Sequence, residues 1–372
     1  MRKLFIATFM ALVAITNAQD FKKNSFTIQR EAVVDPKEAK PDFNAGIKRI
    51  EMPHPDGDSY KDFIASQKIK SRAQYPLKNN SSANKTLEKA NKPIVGRQKA
   101  VYRVYPNGSV NIIGGGIPND NSMAISNDGV MIAGFNRAIW AWDYKTDTTL
   151  FPLQLLGLKQ IVGDNSVSNY YYDPKLIYDP VADRFILVFL KNNNPATNRI
   201  FVCFSSSNDP TDPWHVYSLP GNPLNNNRWT DYPAISITDN DLFITGNLIV
   251  PGVSWQVGFD GSVIWQVKKE DGYNNATQLS TTLYSQIKHE GKYTRNIHPI
   301  RGAHGIAETQ YFMSNRNFDV TNDTVFVMEM IGEQGDPNSQ LIVNYGITDV
   351  AYGMPPNGQQ EDTDLDDPTS GL

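Results

Sequence analysis

The stretch from Asp173 to Asn247 constrains the fold of this chain more than any other part of it. It holds three runs rich in β-branched and aromatic residues, each bounded by Asp, Asn, Pro or Gly. Such residues fit the pleated surface of a strand, whose side chains alternate between two faces. The frequent turns favour consecutive antiparallel sheets over βαβ units. The runs are DPKLIYDPVADRFILVFL, RIFVCFSSSNDPTDPWHVYSL and RWTDYPAISITDNDLFITGN.

The strand, turn, strand pattern recurs through residues 100–349 and predicts an all-β fold. Hairpins follow one another at intervals of about 40 to 60 residues, the range expected when each repeat is one small antiparallel sheet. A radial arrangement of such sheets is a β-propeller, complete or in part within this sequence. A β-sandwich is the alternative on strand spacing alone. The hairpin turns are predicted at Asn127-Asp128-Gly129, at residues 179–183, at Asp239-Asn240-Asp241, at Asp260-Gly261 and in the longer connection of YFMSNRNFDVTNDTVFVMEMIG.

The two ends of the chain differ in composition from the middle. Residues 1–18 have a basic start, an apolar core and a small residue at the end, which predicts a secretory signal peptide. The apolar run is too short to span about 30 Å of hydrocarbon. Residues 19–99 hold 17 Lys and Arg against 10 Asp and Glu. They predict a polar, basic, largely disordered leader, with a short helix near residues 60–70.

Residues 350–372 predict an acidic flexible tail. Asp362, Asp364 and Asp366 alternate as the oxygen ligands of a calcium loop do, but the fixed Gly and distal Glu of such a loop are missing. No cofactor is therefore expected, with calcium as the one alternative. The single cysteine, Cys203, lies in an apolar run and is predicted to be a small buried hydrophobe, so no intramolecular disulfide can form.

The motifs DPKLIYDPVADRF, SSSNDPTDPW and DYPAISITDNDLFITGN resemble those of a family of secreted, Bacteroidetes-type bacterial β-propellers of unassigned activity. The preceding NDNSMAISNDGVMIAGFN fits the adjoining blade of that family. The resemblance covers residues 119–247 well and the part up to residue 349 weakly. It implies a blade architecture rather than a chemistry. Relatives often carry a C-terminal sorting β-sandwich for type IX secretion, which this sequence lacks, so we expect a truncated chain or another export route.

The same family is similar in architecture to sialidases. Their aspartate box has the pattern Ser-x-Asp-x-Gly-x-Thr-Trp, from which Ser126-Asn127-Asp128-Gly129-Val130 departs in spacing. This difference in spacing weakens the interpretation of the chain as a glycosidase. Independently of any family, Asp and Asn cap tight turns, Pro ends strands, and Trp214 can fill the space between neighbouring sheets.

Two clusters are candidate ligand sites. RNIHPIRGAHG brings Arg295, His298, Arg301 and His304 close together in sequence, and Arg offers bidentate contacts to an anion or a carboxylate. A metal is less favoured, because no third ligand stands at a recognisable spacing. Polar loop residues without a function are the alternative for this cluster.

The second cluster is Trp229, Asp231 and Tyr232 in NNNRWTDYP. An aromatic ring beside a carboxylate is a common way to hold a sugar, and packing between blades is the alternative. Glycoside hydrolysis needs two carboxyl groups about 5 to 10 Å apart. The sequence offers many pairs and no means of choosing among Asp173, Asp179, Asp183, Asp209, Asp212 and Asp231.

These features predict an exported monomer, extracellular or at the cell surface, that binds a glycan or a protein through loops at one end of the propeller. No Gly-x-Ser-x-Gly, His-Glu-x-x-His or Walker motif is present, so no catalytic residue is assigned. The spread of the basic charges argues against nucleic acid, and no segment after the signal peptide is apolar enough to span a membrane. The alternatives are a sialidase-like propeller glycosidase and a structural or adhesion component of the cell surface.

Overall fold

A computed structural model describes residues 21–39, 57–75, 120–136, 138–150, 156–164, 166, 169–253, 257–302, 309–316 and 318–354. Most of these residues lie in antiparallel strands, which confirms the all-β class. The strands are β1 (Lys22–Val34), β2 (Ser122–Ile125), β3 (Val130–Phe135), β4 (Ala138–Asp143), β5 (Thr148–Thr149), β6 (Leu156–Gly157), β7 (Tyr171–Asp179), β8 (Arg184–Lys191), β9 (Arg199–Ser205), β10 (Trp214–Pro220), β11 (Trp229–Ile237), β12 (Asp241–Ile249), β13 (Phe259–Lys268), β14 (Gln278–Ser285), β15 (Lys288–His289), β16 (Lys292–Tyr293), β17 (His298–Pro299), β18 (Gln310–Asn315), β19 (Asn322–Ile331) and β20 (Gln340–Tyr352).

Helices are short or peripheral. The longest follows β1 in the chain, and the other two are single turns between strands. Within the described part of the chain, no helix is both long and apolar enough to cross a membrane. The helices are α1 (Gly57–Gln74), α2 (Leu158–Ile161) and α3 (Lys269–Tyr273), with a 3₁₀ turn at Pro36–Glu38.

Four meanders form four blades. Blade 1 contains β2 to β5, blade 2 contains β7 to β10, blade 3 contains β11 to β14, and blade 4 contains β17 to β20. The first strands of successive blades touch, since β2 contacts β7, β7 contacts β11, and β11 contacts β17. Separate apolar clusters fill the space between blades 1 and 2, 2 and 3, and 3 and 4. First strands at the centre and sheets stacked face to face are the geometry of a β-propeller, which confirms the predicted architecture.

The second strand of blade 2 shows why the apolar runs of this sequence are continuous. Phe185, Leu187 and Phe189 face the cluster shared with blade 1, whereas Ile186 and Val188 face the cluster shared with blade 3. Both faces of an inner blade are covered, so polar residues have no solvent-facing positions there. Trp214 lies between blades 1 and 2, fully buried, as the sequence predicts, and Cys203 is buried in the same cluster.

The strand β1 corrects one part of the sequence prediction. It lies within the segment expected to be a largely disordered leader, yet it pairs with β14 along residues 22–29 and with β10 along residues 30–34. It thereby joins the outer edges of blades 2 and 3 into one nine-stranded sheet. The end strands of that sheet, β7 and β11, also touch, so the nine strands wrap around a nearly closed core.

The predicted turns are found with one exception. Hairpins join β2 to β3, β7 to β8, β11 to β12 and β18 to β19. Asp260-Gly261 is not a turn: both residues lie inside β13, next to an irregularity in its pairing with β12. Gly261 has a φ of 129°, so this Asp-Gly pair bends a strand instead of reversing the chain.

Asparagine side chains connect each blade to the next. The Asn136 Oδ1 accepts from the Asp173 amide at 2.8 Å, and the Asn198 Oδ1 accepts from the Thr230 amide at 2.9 Å. The Asn247 Oδ1 accepts from the amide of Asn296 in the same way at 3.2 Å. These bonds satisfy backbone donors where a chain enters a new blade, and they fix the position of each first strand.

The short helix predicted near residues 60–70 is present as the longer α1. The predicted signal peptide and the acidic tail after residue 354, with its three alternating aspartates, lie outside the described residues.

Candidate functional site

Two first strands carry the same distortion near one end of the propeller. The pairing of β7 with β8 shifts between Tyr172 and Lys175, and the pairing of β11 with β12 shifts between Asp231 and Ala234. Asp173 has a φ of 54° and Tyr232 a φ of 55°. Each precedes a proline, and a non-glycine residue at positive φ costs about 1–3 kcal/mol. Strain repeated at matching positions of two blades is typical of a functional site.

The bulge in β7 places Asp173 against a carboxylate of blade 1. Asp120, just before β2, forms a side-chain hydrogen bond with Asp173. Asn136, which is 1% exposed, donates from Nδ2 to the Asp120 carboxylate and accepts from the Asp173 amide. A hydrogen bond between two carboxyl groups requires that one of them hold a proton. Asn136 therefore holds a paired Asp120–Asp173 unit at the centre of the propeller.

Asp231 of blade 3 is the third carboxyl of this group. Burial, followed by the charges of Asp231 and Asp120, raises the pKa of Asp173 well above its usual value. Burial also raises the pKa of Asp231 to about 6, with a further contribution from the Asp120 charge. Both side chains nevertheless keep partial contact with solvent. Asp120, Asp173 and Asp231, called here the axial carboxylates, thus come from three blades, and the pKa values of Asp173 and Asp231 are raised.

Lys175 acts on the axial carboxylates, and its charge and that of Arg301 both act on His298. Lys175, two residues after Asp173, favours ionisation of both Asp173 and Asp231. Arg301 donates from Nε to the Ile235 carbonyl of β11 at 3.1 Å. Burial and the charges of Arg301 and Lys175 lower the pKa of His298, which still has an exposed side chain. The site therefore has an acidic centre and a basic border.

The structure brings together some of the predicted site residues and separates others. Asp231 and Tyr232 lie on β11, which contacts β17, and Arg301 bonds Ile235 of β11, so the two sequence clusters lie on neighbouring first strands. Tyr232 is 58% exposed and is free to meet a ligand, whereas Trp229 is buried in the core between blades 2 and 3. For Trp229 the packing alternative is the correct one.

Arg295 has a different environment from His298 and Arg301. Its guanidinium lies between two rings, 4.1 Å from the centre of Phe259 and 4.8 Å from that of Phe318. These groups line a separate cavity of about 310 Å³. His304 lies outside the described residues. Among the described residues, no group of three or more His, Cys, Asp or Glu side chains has an arrangement suited to a metal ion.

A larger cavity of about 570 Å³ opens at the other end of blades 2 and 3, where the β7–β8 and β11–β12 hairpins lie. Asp179 lines it and accepts from Lys269 Nζ at 2.5 Å and from the Tyr273 hydroxyl at 2.9 Å. Arg184 donates to the carbonyl oxygens of Ala182 and Asp183. Several of the charged side chains that line this cavity pair with one another, as Asp179 does with Lys269. Such pairs are explained by a structural role.

Sequence reasoning missed Asp120 and Lys175 and did not select Asp173 from the other aspartates. A signal was present in the recurrence of a residue followed by proline near the start of two first strands, Asp173-Pro174 and Tyr232-Pro233. Prolines there disturb the strand pairing and mark the bulges. That these bulges lie beside one another depends on blade packing, which the local pattern does not contain.

No protein-family model and no curated protein matches this chain. Among solved structures it is similar to an exo-β-1,3-galactanase from Phanerochaete chrysosporium, with a TM-score of 0.31, 10% identity, and coverage of 60% of this chain and 49% of that one. An exo-β-1,3-galactanase from Clostridium thermocellum gives a TM-score of 0.31 at 10% identity over 60% and 48% of the two chains.

A GH43 β-1,3-galactosidase gives a TM-score of 0.34 at 10% identity, over 61% of this chain and 77% of that one. This chain spans about half the length of the two galactanases. Similarity at this level does not identify an activity, so the function has to be inferred from the side chains of the site.

Proposed function

We propose that this protein is an exported carbohydrate-active β-propeller whose axial carboxylates hydrolyse a glycosidic bond. The observation that carries the proposal is the meeting of Asp120, Asp173 and Asp231 from three blades, with the pKa of two of them raised. Glycoside hydrolysis needs one protonated carboxyl group and one carboxylate on either side of the bond. Raised pKa values at solvent-accessible positions supply the protonated partner.

The roles follow from the electrostatics. Asp231, with a pKa of about 6, is the general acid, because a proton donor works best when its pKa lies near the working pH. The second carboxyl group of the reaction comes from the Asp120–Asp173 pair, in which burial and neighbouring charges favour the protonated form of Asp173. An ionised oxygen of this pair would activate a water molecule or stabilise positive charge on the sugar ring. Asn136 keeps the pair oriented through its two hydrogen bonds.

The rest of the site supports an acidic glycan as substrate. Tyr232 offers an exposed ring for stacking against a sugar face. Lys175 offers positive charge beside the axial carboxylates and Arg301 offers it beside His298, which suits the carboxylate of a uronic acid residue. An export signal in residues 1–18, proposed from the sequence, would place this activity outside the cytoplasm, where such polysaccharides occur.

To test this, the full chain is incubated with a panel of neutral and uronate-containing polysaccharides, and sugar release is measured by a reducing-end assay. We expect Asp231→Asn and Asp173→Asn each to lower the rate by about 10²–10⁴-fold. The matched control is Glu270→Gln, which removes an exposed carboxylate at the opposite end of the propeller and should leave the rate unchanged. A wild-type chain that binds a glycan in calorimetry but releases no sugar would overturn hydrolysis in favour of glycan binding.

A further inference from the structure

The two end blades of the described propeller expose apolar faces. On blade 1, Met123 and Ile125 are 62% and 49% exposed, although they lie in a first strand whose opposite face is buried against blade 2. Cross-strand pairing puts Met131, Trp140 and Trp142 on this same outer face. The two indole rings stack there with centroids 5.9 Å apart.

Blade 4 repeats this arrangement at the other end. Tyr311 and Met313 of β18 are 39% and 44% exposed, while Phe312 between them is buried against blade 3. Val327 of β19 pairs with Met313 and shares its face with Ile331 and with Glu329, which accepts from Asn344 of β20. Inner blades of this protein have both faces covered, so two largely apolar end faces indicate surfaces that something covers.

The course of the chain indicates which segment covers these two faces. The C-terminal turn of α1 lies at blade 4, because the Tyr75 hydroxyl bonds the Thr321 hydroxyl and Ser71 packs against Gly353. The next described residue, Asp120, directly precedes the first strand of blade 1. The two described residues that flank positions 76–119, Tyr75 and Asp120, therefore lie at opposite end blades.

The sequence of this connection contains a hairpin pattern that fits between two apolar faces. In AVYRVYPNGSVNII, residues 100–113, Asn107-Gly108 is the strongest short-range signal for a two-residue hairpin turn. The first run carries apolar residues on both alternating sets, Val101 and Tyr105 on one and Tyr102 and Val104 on the other. A strand that is apolar on both sets is typical of a sheet covered on both faces.

We propose that residues 100–113 dock on the outer faces of blades 1 and 4 and supply the core of a further blade between them. The partner is thus a segment of the same chain, held close to blade 1 because it precedes β2 by only a few residues. This inference concerns the whole fold and is independent of the proposed hydrolytic activity. A second copy of the chain on the same faces is the competing occupant.

Methionine oxidation of the full chain, read by mass spectrometry, distinguishes these cases. Met123 and Met313 report on the two outer faces, and Met328 and Met330, fully buried between blades 3 and 4, report on integrity of the fold. We expect all four to resist dilute peroxide in the wild type. Replacing residues 100–113 by a Gly-Ser segment of equal length should raise the oxidation rate of Met123 and Met313 about tenfold and leave Met328 and Met330 protected.

A milder pair of variants covers the case in which the replacement does not fold. Val104→Asp places a charge on an apolar position of the segment and should expose Met123 and Met313, whereas the matched Asn111→Asp should not. Rapid oxidation of Met123 and Met313 in the wild type would overturn the proposal. Protection that disappears on dilution, together with a dimer in light scattering, would overturn it in favour of a second copy.

Discussion

The pKa values of individual carboxyl groups in this protein shift in opposite directions, and the neighbouring residues in sequence do not reveal which way. Burial opposes ionisation of Asp179, but the hydrogen bond and charge of Lys269 outweigh it and lower the pKa of Asp179. Burial dominates at Asp231 and at Asp241 and raises the pKa of each to about 6. The difference lies in whether a cation bonds the carboxylate directly: Lys269 donates to Asp179, whereas lysines act on Asp231 and Asp241 only through their charge.

Lys269→Met tests the buried pair. Lys269 and Asp179 side chains are 3% and 1% exposed, so the substitution leaves an uncompensated charge in the core. We expect a loss of about 3–5 kcal/mol in the free energy of unfolding, measured by urea denaturation at pH 7. Lys268→Met removes the neighbouring lysine, whose pair with Glu270 is exposed, and should cost less than about 1 kcal/mol. Equal effects of the two variants would refute a special role for the buried pair.

Asp231→Asn tests the raised pKa independently of any activity. A carboxyl whose pKa is higher in the folded than in the unfolded chain favours folding at low pH, and this advantage disappears as the pH rises from about 4 to about 6. The wild type should therefore lose stability across this window more steeply than the variant. Urea unfolding at pH 4.5 and at pH 7.5 measures the difference, and identical pH slopes would contradict a raised pKa for Asp231.

Among the elements, β1 has the most unusual position, because it joins two blades that are distant from it in sequence. Its partly buried residues alternate with exposed ones, and Phe26 packs against Trp265 with ring centroids 5.2 Å apart. A basic segment thus contributes one strand to the core while its other face meets water. Net charge describes a long segment as a whole and does not detect an amphipathic strand within it.

Phe26→Ala should show that β1 stabilises the fold. We expect a loss of about 2–4 kcal/mol in the free energy of unfolding, since the ring is partly buried against the core. Gln29→Ala, at an exposed position of the same strand, should change stability by no more than about 0.5 kcal/mol. If Phe26→Ala unfolds at the same urea concentration as the wild type, β1 is not part of the cooperative unit.

For the molecule as a whole, the radial stacking of blades determines stability and places the site. Each interior sheet has two buried faces, in contrast to the sheets of a two-layer sandwich, which have one. At the centre, the first strands of successive described blades contact one another. Groups that are far apart in the chain can therefore act together only there.

A pair of adjacent substitutions in β8 tests the stacking directly. Ile186 points to blade 3 and Leu187 to blade 1, and both are fully buried. Ile186→Ala and Leu187→Ala should each lower the free energy of unfolding by about 2–5 kcal/mol, read by urea denaturation. A two-layer arrangement would leave one of the two nearly neutral, and that result would contradict the stacking of blades on both sides.

The sequence by itself determined the strands, most of their turns, the burial of Cys203 and Trp214, and the all-β class. These features depend on alternation and turn chemistry within a few residues, which act before distant parts of the chain meet. It also pointed to Asp231, Tyr232, His298 and Arg301, although as members of two unrelated clusters.

Only the tertiary structure decided that Asp231 lies near Asp120, Asp173 and Lys175, that β17 lies beside β11, that Trp229 belongs to the core, and that Arg295 lies between two aromatic rings elsewhere. It also decided that β1 joins blades 2 and 3 and that Asp260-Gly261 bends a strand. The physical reason is common to all of these. Packing between blades depends on contacts between segments far apart in sequence, and the raised pKa values exist only where those contacts remove carboxyl groups from water.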